Sequence, residues 1–296
     1  MAEDEAVTDG SKRTEVDWLQ SVRDPIASRV DRPLDGRVAI VAGGGLAGPL
    51  GGIGFAIAWL LALDGAIVAV FDRDPAAAAR TVRLIRDMGG RAEAQALDMT
   101  DSAAVADAVD AVAARHGRLD LVADSIGGGG TMGVFDASIE DWDAAFSLNL
   151  DQVWHLVRHA QRHLVPGGAI VTISSAAVDG RGPGLPYTAA KAALEKLTVG
   201  FAGALAPRGI RANAVRVGMI WGAFAASTLS DDLRDVRRSN VAMQTEGNSW
   251  DIAAAAHFLL SDRARWITGQ VLPVDGGGTP SRNSGQAGRN PGPPSA

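Results

Sequence analysis

The chain has 296 residues, 47% of them apolar and 21% charged, with a net charge of -6. No stretch approaches the roughly 18 uninterrupted apolar residues of a membrane span, and no basic cluster marks a nucleic acid or an anionic membrane as partner, so small molecules are the expected partners. Cysteine is absent, which excludes disulfides, thiolate metal sites and cysteine nucleophiles and fits a cytoplasmic location.

Residues 1–33 are acidic and polar and lack the apolar core of a signal peptide, so they are expected to form a mobile N-terminal extension without an export role. Residues 280–296 are mostly Gly, Pro, Ser and Asn with little to bury, and are expected to be a disordered tail. Residues 34–279 are then expected to make a single α/β domain.

Within that span, Arg37–Ala42 is a short apolar run that ends in glycines and leads into a helical pattern over Ile53–Leu63. A second strand is expected over Ala66–Phe71. Asp74 and Pro75, as N-cap and first-turn residues, open a helix through Arg86. The unit repeats as strand Arg91–Leu97, helix Asp101–Arg115, strand Leu119–Ala123, helix Ile139–Leu164 and strand Ala169–Ile173. Helix Leu185–Leu205, strand Ile210–Val215, helix Asp251–Leu260 and strand Gln270–Val274 complete it. Continuous apolar strands alternating with helices predict a doubly wound parallel sheet covered on both faces.

The turn after the first strand, Gly43 to Gly54, contains Gly43, Gly44, Gly45, Gly48, Gly51, Gly52 and Gly54. Glycines let backbone approach a pyrophosphate, and the N-terminus of the next helix adds oriented N–H groups. Asp72 ends the second strand, where a carboxylate can accept from adenosine ribose hydroxyls and repel a 2'-phosphate, so NAD is expected over NADP; Arg73 next to it is the counterweight. Asp98 lies at the same edge and either meets the adenine or caps the next helix.

Tyr187 is the only tyrosine, and Lys191 follows it by four residues. On a helix these positions share a face, and an ammonium beside a phenol favours the ionised form, so the pair is expected to do acid/base chemistry with Lys191 making Tyr187 more acidic.

The glycine turn, Leu97-Asp98-Met99-Thr100, Leu148-Asn149-Leu150, Ile173-Ser174-Ser175, Tyr187-x-x-x-Lys191, Arg211-Ala212-Asn213-Ala214-Val215 and Ile267 through Gly277 occur in one order. Together they resemble the short-chain dehydrogenase/reductase family, whose fold is Rossmann-like, over essentially all of residues 34–279. The resemblance implies a tetrad. Tyr187 exchanges a proton with the substrate oxygen, Lys191 lowers its pKa and holds nicotinamide ribose hydroxyls, Ser175 hydrogen-bonds the substrate oxygen, and Asn149 holds a water of the proton relay. Residue spacing points instead to Ser174, whereas the Ile-Ser-Ser pattern points to Ser175. Cofactor contacts are implied for Gly43, Gly52, Ile53, Gly54, Asp72, Asp98, Met99, Tyr187, Lys191, Gly218 and Ile220, with no metal. The family's assembly implies a homotetramer.

Departures from the pattern accompany these matches. The glycine turn carries about five extra residues, including Pro49. Ala123-Asp124-Ser125-Ile126-Gly127, extended by Gly128, Gly129 and Gly130, stands where the family has Asn-Asn-Ala-Gly. Val217 replaces a proline, and Gly222 a threonine. Both altered loops flank one cofactor, which implies a modified cradle. His155, His159 and His163 form a stripe read as polar packing, with no carboxylate among them. Met219, Trp221, Phe224, Leu229 and Met243 fall in the segment of the substrate lid and serve either substrate or core. Trp59, Trp142, Trp154 and Trp266 are assigned to core or interface.

The expected activity is NAD-dependent interconversion of a secondary alcohol and a ketone. The alternatives are NADPH-dependent reduction of a 3-oxoacyl thioester and, against the intact Ser, Tyr and Lys, a catalytically silent dinucleotide sensor.

Overall fold

A computed structural model describes residues 33–48, 51–129, 135–179, 184–222, 225 and 233–278. The expected extension, save Pro33, and the expected tail lie outside the described residues, as do Pro49, Gly130, Phe224 and Leu229.

Seven strands form one sheet: β1 (Val38–Ala42), β2 (Ile67–Asp72), β3 (Arg91–Ala96), β4 (Leu119–Asp124), β5 (Leu164–Ser175), β6 (Arg211–Val217) and β7 (Val271–Val274). Their order is β3-β2-β1-β4-β5-β6-β7, and every pairing is parallel. Helices α1 (Ile53–Leu63), α2 (Pro75–Asp87), α3 (Ser102–His116), α4 (Ile139–Phe146), α5 (Gln152–Ala160), α6 (Leu185–Leu205), α7 (Leu233–Ser239) and α8 (Ser249–Leu260) fill the connections. The doubly wound, Rossmann-like architecture is the one expected from the alternation.

The strands are continuous in apolar residues because both faces of the sheet are covered. One core layer joins Val41, Val68, Val171 and Val215 of the strands to Ile57 and Leu61 of α1 and Ile252 and Leu259 of α8. The other joins Ile40, Phe71, Val122 and Ile170 to Val109 of α3, Leu156 of α5 and Leu194 of α6. Each fully buried Leu or Ile contributes about 1.5–3 kcal/mol of transfer free energy. At the edges of the sheet, β3 partly alternates with solvent and β7 is part-exposed along its length.

Local signals set the helix starts. Asp74 caps α2 through the N–H groups of Ala76 and Ala77, with Pro75 in the first turn, and Asp101 caps α3 in the same way. Asn248 and Asp251 form a reciprocal capping box on α8.

The largest departure from expectation is the helix read over Ile139–Leu164. It is broken by a π turn over Ser147–Asp151 and stops at Ala160, and Leu164 already belongs to β5, paired with Leu119. The π turn has a visible cause. The Asn149 amide donates to the Ala145 carbonyl at 2.8 Å, taking the acceptor that its own backbone N–H would use in a regular α turn. Helix α7 lies in the segment read only as a lid.

Arg211 and Asn213, in one of the family-like motifs, are architectural. The Arg211 guanidinium donates to the carbonyls of Leu259, Leu260 and Ser261 at the end of α8, and Asn213 bonds Ile267 and Gln270.

Candidate active site

The strand order reverses between β1 and β4, and in such sheets a crevice opens beyond the carboxyl ends at that point. Gly43, Asp72, Asp98, Asp124, Ser175 and Gly218 all end or closely follow a strand at this edge. The fold therefore gathers residues from six strands along one line.

At the nucleotide end, Gly43 has φ +73, and a Cβ on Gly54 would lie 2.2 Å from the Gly43 carbonyl and 2.3 Å from Ser125 Oγ. Backbone here approaches more closely than any side chain allows. The N-terminus of α1, at Gly52 and Ile53, has no side-chain cap and no acidic residue in its first turn, while Ile53 packs on the core. Uncapped N–H groups beside a close glycine turn fit a pyrophosphate.

The first part of the enlarged loop, at Gly44, Gly45 and Leu46, is pinned. Gly45 donates its N–H to Asp72 Oδ2 at 2.8 Å, Leu46 donates to the Ala77 carbonyl at 3.1 Å, and Thr81 Oγ1 donates to the Gly44 carbonyl at 2.9 Å. Asp72 Oδ1 accepts from the Asp74 N–H at 3.0 Å. A carboxylate offers about four lone-pair sites, so two remain for ribose hydroxyls.

Asp98 accepts from the N–H and hydroxyl of Thr100, which hold its carboxyl below the usual range. It closes a turn, and Asp101 caps the helix that follows. Met99 is buried in the second core layer. Gly218 lies against Asp275, where a Cβ would stand 2.3 Å from the Asp275 Cβ. Ile220 packs on the first core layer, and its carbonyl accepts from Arg237 at 2.9 Å. Beside Gly222 stands Ser249, whose hydroxyl donates to the Gly51 carbonyl at 3.3 Å and ties α8 to the glycine turn.

At the chemical end, Tyr187 and Lys191 lie on α6 four residues apart, as the spacing predicts. Their partners differ. The Tyr187 phenol feels the Ser175 side chain, whose oxygen accepts from the Ala177 N–H at 3.2 Å. Lys191 Nζ donates to the carbonyls of Ile173 at 2.9 Å and Ile126 at 3.1 Å. Burial pushes the phenol up from its ordinary value, and the Ser175 side chain is what opposes that rise. The expectation that Lys191 makes Tyr187 acidic is not met here: two of the three ammonium donors go to backbone carbonyls, and burial dominates the phenol.

Ser174 points elsewhere. It is buried and donates to Glu195 Oε1 at 2.9 Å, a side-chain partner that the Ile-Ser-Ser pattern does not reveal. Ser175 is the serine that reaches the phenol.

Asn149 is buried, with its amide donating to the carbonyls of Gly128 and Ala145 and its oxygen accepting from the Gly128 N–H. The glycine run after β4 closes on the site. A Cβ on Gly127 would lie 2.8 Å from Lys191 Nζ and 3.0 Å from Asn149 Oδ1, and one on Gly129 would lie 2.7 Å from the Tyr187 Cβ.

Two groups of the site escaped sequence reasoning. Asp124 is buried at the end of β4, accepts from Gln152 Nε2 and acts on the Lys191 charge. Glu195 pairs with Arg216 behind the serines. Glu195 follows Lys191 by four residues on the same helix face, which is a legible signal; Arg216 becomes its partner only through strand pairing.

The remaining features sort by contact. His163 bonds Asp110 at 2.6 Å, so a carboxylate does join the histidine stripe, from α3, while His159 lies 3.1 Å from Ser102 Oγ. Arg234 lies over the Trp221 ring at 4.7 Å, and Met243 is exposed. Trp59 packs on the core, whereas Trp266 is 92% exposed and belongs to no core of this chain.

Two hydroxyls converging at a strand end, beside a buried cation and below a glycine cradle, can hold an oxygen atom and exchange a proton with it. Comparison with known proteins agrees with this chemistry. The family model described as enoyl-(acyl carrier protein) reductase matches residues 48–279. A 7alpha-hydroxysteroid dehydrogenase of Escherichia coli (strain K12) is 32% identical over 253 residues, covering 84% of this chain and 97% of the relative. The solved 7 alpha-hydroxysteroid dehydrogenase complexed with NADH and 7-oxo glycochenodeoxycholic acid superposes with a TM-score of 0.78 at 32% identity, over 84% of this chain and 96% of that one. A short chain dehydrogenase from Burkholderia cenocepacia J2315 in complex with NADP gives 0.74 at 36% identity, over 83% and 99%. The chain belongs to the short-chain dehydrogenase/reductase family of oxidoreductases, and a nicotinamide dinucleotide is its cofactor class. No helix among the described residues is long and apolar enough to cross a membrane.

Proposed function

We propose that this protein interconverts a secondary alcohol and a ketone with NAD. The observation that carries the reading is Ser175 at the carboxyl edge of the sheet acting on the Tyr187 phenol, with Lys191 buried on the same helix as that phenol. A nicotinamide dinucleotide, when bound, supplies the hydride acceptor or donor. The chain's own residues handle the proton and the oxygen. In oxidation Tyr187, in its ionised form, accepts the hydroxyl proton of the substrate and becomes the neutral phenol, and in reduction that O–H returns the proton. Ser175 donates to the same oxygen and stabilises the charge that develops there. Lys191 holds ribose hydroxyls and keeps positive charge beneath the site, and Asn149 shapes its floor through the π turn and Gly128.

Gly43, Gly52, Ile53 and Gly54 would cradle the pyrophosphate, with Asp72 on the adenosine ribose, Asp98 and Met99 beside the adenine, and Gly218 and Ile220 at the nicotinamide. The Asp72 charge disfavours a 2'-phosphate. Exposed Arg73 next to it favours the second reading, NADPH-dependent reduction of a 3-oxoacyl thioester. A homotetramer in the cytoplasm completes the proposal; an open hollow of about 470 Å³ between Leu150 of the π turn, Trp154 of α5 and Leu197 of α6 offers apolar surface for subunit contact.

Replacing Tyr187 by Phe is expected to lower kcat by about 10²–10⁴-fold while cofactor binding persists. The decisive assay is a panel of secondary alcohols and ketones with NAD and with NADP, read by nicotinamide absorbance. Strong preference for NADP would overturn the Asp72 assignment, and tight cofactor binding without turnover across the panel would favour a silent sensor.

A further inference from the structure

Directly behind the Ser175–Tyr187 pair lies a charged cluster that the proposed proton chemistry does not use. Glu195 stands one turn beyond Lys191 and two beyond Tyr187 on α6, and it is buried. Arg216 on β6 meets it with two roughly parallel bonds, Nε to Oε1 at 2.8 Å and Nη2 to Oε2 at 2.6 Å. Ser174 Oγ donates to the same Oε1 at 2.9 Å, and Ser174 and Arg216 are register partners on adjacent strands. The remaining arm of Arg216, Nη1, reaches Asp179 Oδ1 at 3.5 Å, at the end of the 3-10 turn over Ala176–Asp179. Ser175 is therefore bracketed. The residue before it is tied to the carboxylate, and the turn after it is tied to the guanidinium.

A buried ion pair is poor evidence of stability, because apolar residues of similar volume often serve as well. What a two-pronged Arg–carboxylate contact supplies beyond apolar packing is fixed geometry. Here the geometry is applied at one place, the strand end that presents Ser175 Oγ to the Tyr187 hydroxyl, where a misplacement of about 1 Å can cost about 10²-fold in rate.

We propose that Glu195 and Arg216 form a positioning pair that fixes the Ser175 hydroxyl against Tyr187 by gripping the chain on both sides of the serine. The effect on turnover rests on the proton roles given above to Ser175 and Tyr187; the effect on geometry does not.

Because Tyr187 is the only tyrosine, a chain carrying ¹³Cζ-labelled tyrosine gives one signal that reports the phenol's contact with Ser175 without substrate. Ser175→Ala sets the position of that signal when the serine hydroxyl is absent. The double variant Glu195→Met/Arg216→Met removes the grip while keeping apolar bulk, and Ser174→Ala removes one side of it with a minimal change. Both are expected to melt close to the parent and to move the Tyr187 signal most of the way to the Ser175→Ala position. They should also lower kcat by about tenfold or more with the cofactor KM within about twofold. Arg216→Lys, which keeps charge but not the fork, is expected to move the signal as well. A Tyr187 signal at the parent position in stably folded Ser174→Ala and double variants would overturn the proposal. If the signal moves but neither parent nor variants turn over any alcohol or ketone, the positioning role stands and the proposed function fails.

Discussion

Asp124 and Lys191 are opposite charges buried at the carboxyl edge of the sheet, and each holds the other in its charged form. Burial pushes the Asp124 carboxyl up to about 6, restrained by Lys191, and brings the Lys191 ammonium down to about 8, restrained by Asp124. Both are charged in the interval between.

A reaction that needs the Lys191 cation should therefore weaken above about pH 8. Asp124→Asn removes the opposite charge acting on Lys191, so the ammonium loses its proton more readily and the alkaline limb of kcat/KM moves to lower pH. A pH profile of kcat/KM for both proteins checks this; coincident limbs would contradict it.

The same pair shapes stability. The folded pKa of Asp124 is raised above its ordinary 3.8 to about 6, so the folded state holds the extra proton in that window and this contribution falls as pH rises through it. The folded pKa of Lys191 is lowered from 10.5 to about 8, so the unfolded chain holds the extra proton there and stability rises with pH across that window. Urea melts of the parent and Asp124→Asn between pH 4 and 6 should differ in slope, the variant lacking up to about 1.4 kcal/mol per pH unit.

Gly127→Ala and Gly129→Ala would each put a methyl group where Lys191 Nζ or the Tyr187 Cβ lies under 3 Å away. Both variants are expected to fold yet lose about 10²-fold in kcat, because the methyl displaces the ammonium or the phenol by a few tenths of an ångström or more. Parent-like kcat in either would show that the glycine run does not set the site's spacing.

Asp72→Ala removes both the charge that disfavours a 2'-phosphate and the acceptor of the Gly45 N–H. The expected outcome is a lower kcat/KM with NAD and a ratio of NADP to NAD efficiency raised by about tenfold or more, since the lost hydrogen bonds served the ribose hydroxyls of NAD and the lost charge repelled only the 2'-phosphate of NADP.

Thr81→Val keeps shape but deletes the hydroxyl that holds the Gly44 carbonyl at 2.9 Å. Leaving that buried bond unmade should cost about 1–3 kcal/mol in urea unfolding and weaken cofactor binding through the loosened loop, measurable by fluorescence titration with NADH.

Most of the fold was legible because its signals are local. Helices over Ile53–Leu63 and Leu185–Leu205 fall on the residues their periodicity marks, and Asp74, Pro75 and Asp101 mark helix starts by capping chemistry. The break at Asn149 was not legible, because a side chain competing for the Ala145 carbonyl leaves the apolar period unchanged.

The sequence by itself determined the alternation of strand and helix, the glycine turn and the Tyr187–Lys191 spacing, since each is a property of neighbouring residues. Only the tertiary structure decided which serine meets the phenol, that burial raises Tyr187 rather than Lys191 lowering it, that Gly45 of the glycine turn bonds Asp72, and that Glu195 finds Arg216. Those outcomes depend on desolvation and on contacts between separate strands and helices. Both quantities come into being when the sheet assembles, and no local pattern of residue types encodes them.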